Sequence, residues 1–205
     1  MGLKTKIFNL IRKLKNSSGN KFGDNLFFDN TVKLGKNLEI GNNVIISRDS
    51  VISDNVRIGN NAVLEKIEVG SHSSIESGVL CLGYGNGRIK IGKHSYIGVR
   101  NVLDWSDNLD IGNYVHISGS STGIWTHTSY KQALAGDALD NKGKRITAPV
   151  IIEDNVYIGG NCTVYPGITI SKNSVILPNS VVNKNTKPGC MYGGVPAVFI
   201  KNIES

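Results

Sequence analysis

Little in this sequence could hold a fold together covalently or carry it through a membrane. Its three cysteines, Cys81, Cys162 and Cys190, are an odd number without CxxC spacing, which argues against a disulfide framework and against a cysteine-built metal knuckle. Long apolar runs are missing, so no segment is long enough to span a bilayer. The first residues also lack the apolar stretch and small-residue cleavage site of a signal peptide, and a reduced, cytoplasmic location is the expectation. Proline (5 of 205 residues) and aromatics (7%) are scarce. Basic residues are nowhere interleaved with stacking aromatics, so the net charge of +7 does not read as a nucleic-acid surface. It suits solubility, or an anionic partner such as a phosphorylated cosubstrate, an acidic glycan or a membrane surface.

What is abundant is glycine (24 residues), together with valine and isoleucine in a six-residue rhythm. From Phe28 to Leu64 a large apolar residue opens each step: Phe28, Leu34, Ile40, Ile46, Ile52, Ile58, Leu64. A small or apolar residue stands two positions before each (Val44 before Ile46, Val56 before Ile58). Residues i and i+2 of a strand share a face, so each step is a very short strand with two inward side chains. The intervening Gly41-Asn42-Asn43 and Gly59-Asn60-Asn61 are turn formers. Such units cannot bury a face alone and must coil and stack. An all-β solenoid follows. Cys81 and Cys162 fall on inward slots and read as small buried hydrophobes.

The rhythm shortens before Ile67 and Val69, takes in a small insertion at Gly83-Tyr84-Gly85-Asn86-Gly87, and runs on to Ile117-Ser118. It resumes at Ile152 and continues to Val182. The intervening residues 119–149 contain no evident hexad, and a loop of that length inside a repeat points to function. Residues 1–16 carry Leu3, Ile7, Leu10, Ile11 and Leu14 at helical spacing among lysines and an arginine. This basic amphipathic helix suits either a cap on the open solenoid end or peripheral contact with an anionic membrane surface. The expected organisation is a helix and linker at 1–20, the coil at 21–186 with its loop at 119–149, and a tail at 187–205.

These residues carry a resemblance. The hexads are similar to those of the hexapeptide-repeat acyltransferases. The run Asn155-Val156-Tyr157-Ile158-Gly159-Gly160-Asn161, the run Val164-Tyr165-Pro166-Gly167-Ile168-Thr169-Ile170, and Gly194-Val195-Pro196-Ala197 resemble the signature of the sugar O-acetyltransferases. That group includes the galactoside and maltose enzymes and those that decorate capsule and lipopolysaccharide sugars. The resemblance covers about residues 28–200. It implies a left-handed parallel β-helix, acetyl-CoA as cosubstrate with no metal, a carbohydrate acceptor such as a surface polysaccharide or its precursor sugar, and a homotrimer with active sites between subunits. The basic stretch 1–16 is compatible with a cytoplasmic place at the inner face of the membrane.

Acyl transfer to a hydroxyl calls for a base, and histidine suits the task. His72 and His94 occupy matching corner positions and should stack one coil apart; His116 points outward from a flat face. His127 lies off the lattice near the start of the loop, where the resembling enzymes keep their catalytic histidine, so the resemblance makes His127 the general base. It also implies acceptor contacts for Asn101 and Asp104, while Trp125 offers a flat apolar face to a sugar or acyl group. For the donor it implies Ala148, Gly159, Gly160, Thr163 and Pro166 along the pantetheine arm, with Lys184, Pro196 and Lys201 toward the nucleotide end. Val198 stands where the resembling enzymes carry Lys or Arg. Other readings on the same coil are an N-acyltransferase for an amino sugar, a zinc hydratase of the γ-carbonic-anhydrase type, which needs three converging histidines, and a non-catalytic scaffold.

Overall fold

A computed structural model describes residues 18–138 and 145–203. The amphipathic stretch 1–16 and the loop residues Lys142 and Lys144 lie outside the described residues. The hexads form strands mostly two residues long, in which an outward residue precedes an inward one: Glu39–Ile40, Ile45–Ile46, Arg57–Ile58. They assemble into three sheets of ten, eight and seven strands, parallel throughout except for the last strand of the first. Neighbours in a sheet come from successive coils, Lys21 opposite Glu39 and Glu39 opposite Arg57. The fold is the left-handed parallel β-helix.

Two backbone features make the coil regular. At most corners one residue takes a left-handed conformation, and most often it is asparagine: Asn25, Asn37, Asn43, Asn55, Asn61, Asn155, Asn161, Asn173, Asn179. Asparagine tolerates this region better than other residues with a Cβ. Coils also approach each other closely at corner glycines. A Cβ on Gly70 would sit 2.6 Å from the backbone of Gly92, which in turn abuts Gly112. Inside, like side chains stack into columns, such as Ile58, Ile75, Ile97, Ile117, Ile158 and Ile176. The prism is filled by aliphatic side chains, with Cys81 and Cys162 among them.

The lattice outlasts Ser118. Gly123–Ile124 is a strand, paired with Val102–Leu103 below and Thr163–Val164 above, so the segment beginning at 119 includes a hexad the apolar pattern hides. Its first inward slot holds Thr122, wholly buried, whose hydroxyl donates to the Gly159 carbonyl (3.1 Å) and accepts from the Cys162 N–H (3.1 Å). Serines do the same elsewhere: Ser73 Oγ donates to Gly92 O and Ser95 Oγ to Gly112 O. The excursion proper starts at Thr126. It contains an antiparallel pair, His127–Thr128 with Ile146–Thr147, and a short helix, Tyr130–Leu134. At the far end the tail stays with the coil: Cys190–Gly193 joins the ten-stranded sheet beside Val175–Ile176, and Val198–Asn202 folds back on it. Among the described residues no helix is long and apolar enough to cross a membrane.

Candidate active site

The corner where Val102–Asp104 ends is the most polar part of the interior. Asp104 is fully buried, and its carboxylate meets four donors. Oδ1 accepts from the Ser106 N–H (2.9 Å) and the Ser106 hydroxyl (2.6 Å). Oδ2 accepts from the Thr126 N–H (2.8 Å) and faces His127 Nδ1 at 2.6 Å. The first pair is a local turn in which a side chain caps the backbone two residues on. The second pair is long-range: stacking of Gly123–Ile124 on Val102–Leu103 delivers residues 126 and 127 directly over Asp104. Burial alone would push the Asp104 carboxyl up. The bonds from Ser106, His127 and Thr126 outweigh it, and its pKa lies below the ordinary carboxylate value.

Ser106 is a hub. Its hydroxyl donates to Asp104, accepts from the Tyr84 N–H (3.1 Å), and stands 3.1 Å from His127 Nδ1. With the carboxylate and the hydroxyl both placed to accept, the Nδ1–H tautomer of His127 is favoured and Nε2 keeps its lone pair. The imidazole is partly exposed (22%). Tyr84 packs edge-on against it, ring centroids 4.8 Å apart, and the Arg145 guanidinium lies 4.3 Å over the Tyr84 ring. Arg145 Nε donates to the buried Gln132 of the short helix (3.2 Å), tying the excursion down. The Gly83–Gly87 insertion is a strap laid on the turn that carries Asp104 and Ser106: added Cβ atoms on Gly83 and Gly85 would stand 2.7 Å from Ser106 N and 2.8 Å from Ser106 O.

Among the expected acceptor residues, Trp125 stands at the site. Its indole lies over Gly123, whose Cβ would come 2.5 Å from the indole nitrogen, and its ring is 6.3 Å from that of His127. Asp104 is at the site but faces His127 instead of solvent. Asn101 does not reach it. It is fully buried, its amide donating to Ile117 O (3.3 Å) and accepting from Thr122 N–H (2.9 Å), because an amide there closes the corner between two coils. The expected donor residues fall into separate places. Ala148 hydrogen-bonds Thr126 O (3.0 Å), beside Gly167 of the Pro166-Gly167 corner. Thr163 faces outward one coil above Gly123. Gly159 and Gly160 belong to another corner, where a Cβ on Gly159 would strike Pro178 and one on Gly160 would crowd Gly119; coil contact accounts for both. Lys184 and Pro196 line one pocket of about 260 Å³ with Tyr192 and Phe199. Lys201 is exposed on the terminal hairpin opposite Met191 and does not line it.

The other histidines sit away from this corner. His72, His94 and Tyr114 form a column with centroids 5.0 Å apart and planes within 6°, and His116 stands outward beside Tyr96. Among the described residues no group of three or more His, Cys, Asp or Glu is arranged to hold a metal ion. From the sequence alone, Ser106, Thr126 and Tyr84 have no role at the site. The Asp104-Trp105-Ser106 spacing signals a capped turn, but nothing in a linear reading joins it to residues 84 and 127.

Two family models match the chain: the GMPPB C-terminal domain over residues 22–123 and the bacterial transferase hexapeptide (six repeats) over residues 149–184. The galactoside O-acetyltransferase of Escherichia coli K12 is 30% identical over 136 residues, 66% of this chain and 63% of the relative; the chain thus spans just under two thirds of that protein's length. Two solved structures share the fold. AntD, an N-acyltransferase from Bacillus cereus crystallised with dTDP and coenzyme A, has a TM-score of 0.60 at 18% identity, covering 95% of this chain and 89% of that one. The polySia-specific acetyltransferase NeuO has a TM-score of 0.55 at 20% identity, covering 90% and 87%.

Proposed function

This chain belongs to the hexapeptide-repeat family of transferases, and from that premise we propose that it moves the acetyl group of acetyl-CoA onto a hydroxyl of a carbohydrate. The observation that carries the proposal is the His127–Asp104 pair at 2.6 Å, built where the coil opens into its excursion. Asp104 holds Nδ1–H. Nε2 takes the proton from the acceptor hydroxyl as its oxygen bonds to the thioester carbonyl carbon. The C–S bond then breaks, the proton passes from Nε2 to the departing thiolate, and an ester and free coenzyme A result. Asp104 stays ionised and stabilises the transient imidazolium. The similarity to the galactoside enzyme supports a sugar hydroxyl as acceptor.

For the donor, Ala148 lies beside the site with its N–H on Thr126 O; we assign Thr163 and Pro166 of the neighbouring coils to the pantetheine arm, and the pocket of Lys184 and Pro196 suits the nucleotide end. The assembly is a homotrimer that shares its sites. The outward ladder of the eight-stranded sheet supports this: Phe27, Ile45, Val63, Leu80 and Val102 lie in register. Phe27, Ile45 and Leu80 are exposed, and the row continues to Gly123, over which the Trp125 indole lies. Exposed apolar surface of this extent marks an interaction face.

His127→Ala should lower acetyl-CoA turnover about 10²- to 10⁴-fold while calorimetric acetyl-CoA affinity stays near wild type. Unchanged turnover overturns the assignment. Assays with matched hydroxyl and amino sugars separate O- from N-transfer: faster acetylation of the amine would favour the chemistry of AntD.

A further inference from the structure

Beside the catalytic corner the strap leaves a cleft of about 420 Å³, bounded by Tyr84–Gly87, Ser106–Asn108 and Thr147. That volume is in the range of small-molecule sites. Three of its lining residues connect it to the proposed base. Ser106 and Tyr84, which line it, both contact His127, and Thr147 is the register partner of His127 in the antiparallel pair. Directly opposed residues of such a pair project from the same face.

Its polar groups are unlike those of the rest of the corner. Asp104, Ser106 and Thr126 spend their donors and acceptors on one another, whereas Asn86, Asn108 and Thr147 are exposed and their side chains have no hydrogen-bond partner among the described residues. Two amides and a hydroxyl, all able to donate and accept, converge on one opening with the Tyr84 ring at its edge. The one charge on the lining is the Asp107 carboxylate, held by the Asn108 N–H (2.8 Å), and no lysine or arginine lines the cleft. Lys66 is turned to the Gly85 carbonyl (3.1 Å) and the Trp105 ring (4.6 Å), and Arg145 stacks on the Tyr84 ring (4.3 Å) and donates to Gln132.

We propose that this cleft is the acceptor seat and that it takes a neutral sugar residue, held by Asn86, Asn108 and Thr147, while the Asp107 carboxylate disfavours uronic and sialic acids. The inference rests on the O-acetyl transfer proposed above and names its substrate class. It also gives the glycine-rich strap a purpose, because its glycines let Asn86 come up close against the Ser106–Asn108 turn.

The test uses the full-length chain with acetyl-CoA and a panel of p-nitrophenyl glycosides: glucoside, galactoside, mannoside and N-acetylglucosaminide against glucuronide and sialoside. Neutral members should be acetylated and acidic ones should lag at least tenfold in kcat/KM. Asn86→Ala and Asn108→Ala, both at exposed positions, should each raise acceptor KM about fivefold to tenfold, the cost of one lost hydrogen bond. Acetyl-CoA KM should not change, nor kcat with saturating acceptor. Asp107→Asn should narrow the gap between neutral and acidic glycosides. If a glycoside is acetylated but the double Asn86→Ala/Asn108→Ala variant keeps the wild-type acceptor KM, or if acidic glycosides are preferred, the seat is elsewhere and the transfer reading survives. Absence of acetylation across the whole panel removes both.

Discussion

Asp104 decides the chemistry of His127 in two ways. It orients the ring, and its four donors keep it ionised in a buried place where a lone carboxylate would be protonated. Asp104→Asn keeps the shape but can present its amide N–H where an acceptor is needed, so kcat should fall about 10²-fold with acetyl-CoA KM nearly unchanged in steady-state assays. The same carboxylate links stability to pH. Its folded pKa is depressed, so its stabilisation is fully present above the ordinary carboxylate range near pH 4 and is lost as pH falls through the lower folded value. Wild type should therefore unfold at higher urea than Asp104→Asn at pH 7, and the gap should close below about pH 4. A gap that stayed constant down to pH 2 would mean that the variant loses packing instead of charge.

An element such as Gly123–Ile124 matters because it sets where the excursion departs. Thr122 keeps that strand in the lattice by satisfying a carbonyl and an N–H of the coil above. Thr122→Val leaves both unpaired at nearly constant volume and should cost about 1–3 kcal/mol in urea unfolding, while Thr122→Ser, which keeps the hydroxyl, should cost clearly less. The strap acts on the same corner from below. A Cβ at Gly87 would clash with the Asp107 backbone, so Gly87→Ala must lift the strap. Its signature should be a raised acceptor KM with the thermal midpoint little changed, since the aliphatic columns do not pass through the strap. A collapse of the midpoint would show that the strap is structural.

For the molecule as a whole, the coil leaves one sheet with an apolar outer ladder and keeps its thiols inside. Ile45→Lys with Leu80→Lys should convert the proposed trimer to monomers in analytical ultracentrifugation and abolish the proposed transfer with the His127 corner intact. A wild-type sedimentation coefficient would refute the ladder as interface. All three cysteines are buried, and burial pushes the Cys81 thiol up to about 12, so a thiol reagent should label the native chain slowly and reach all three residues only on unfolding.

The coil itself was legible from residue order, since a period of six with inward residues at i and i+2 admits few folds; His72 and His94 stack at one corner as that period requires. Three things were not legible. The hexad at Thr122 escaped because a hydroxyl can fill an inward slot when a neighbouring coil supplies its partners, and only the stack supplies them. Likewise, the tail's return to the sheet rests on pairing with a strand sixteen residues earlier, not on any pattern of its own. The site depended most on tertiary structure. Residue order offered Asp104 and Asn101 as equivalent polar groups, and stacking turned one toward His127 and locked the other between coils. Local periodicity specifies a repeat because each unit meets the same neighbours. The proposed catalytic corner forms where that repetition breaks, so its partners come from coils that only the folded chain brings together.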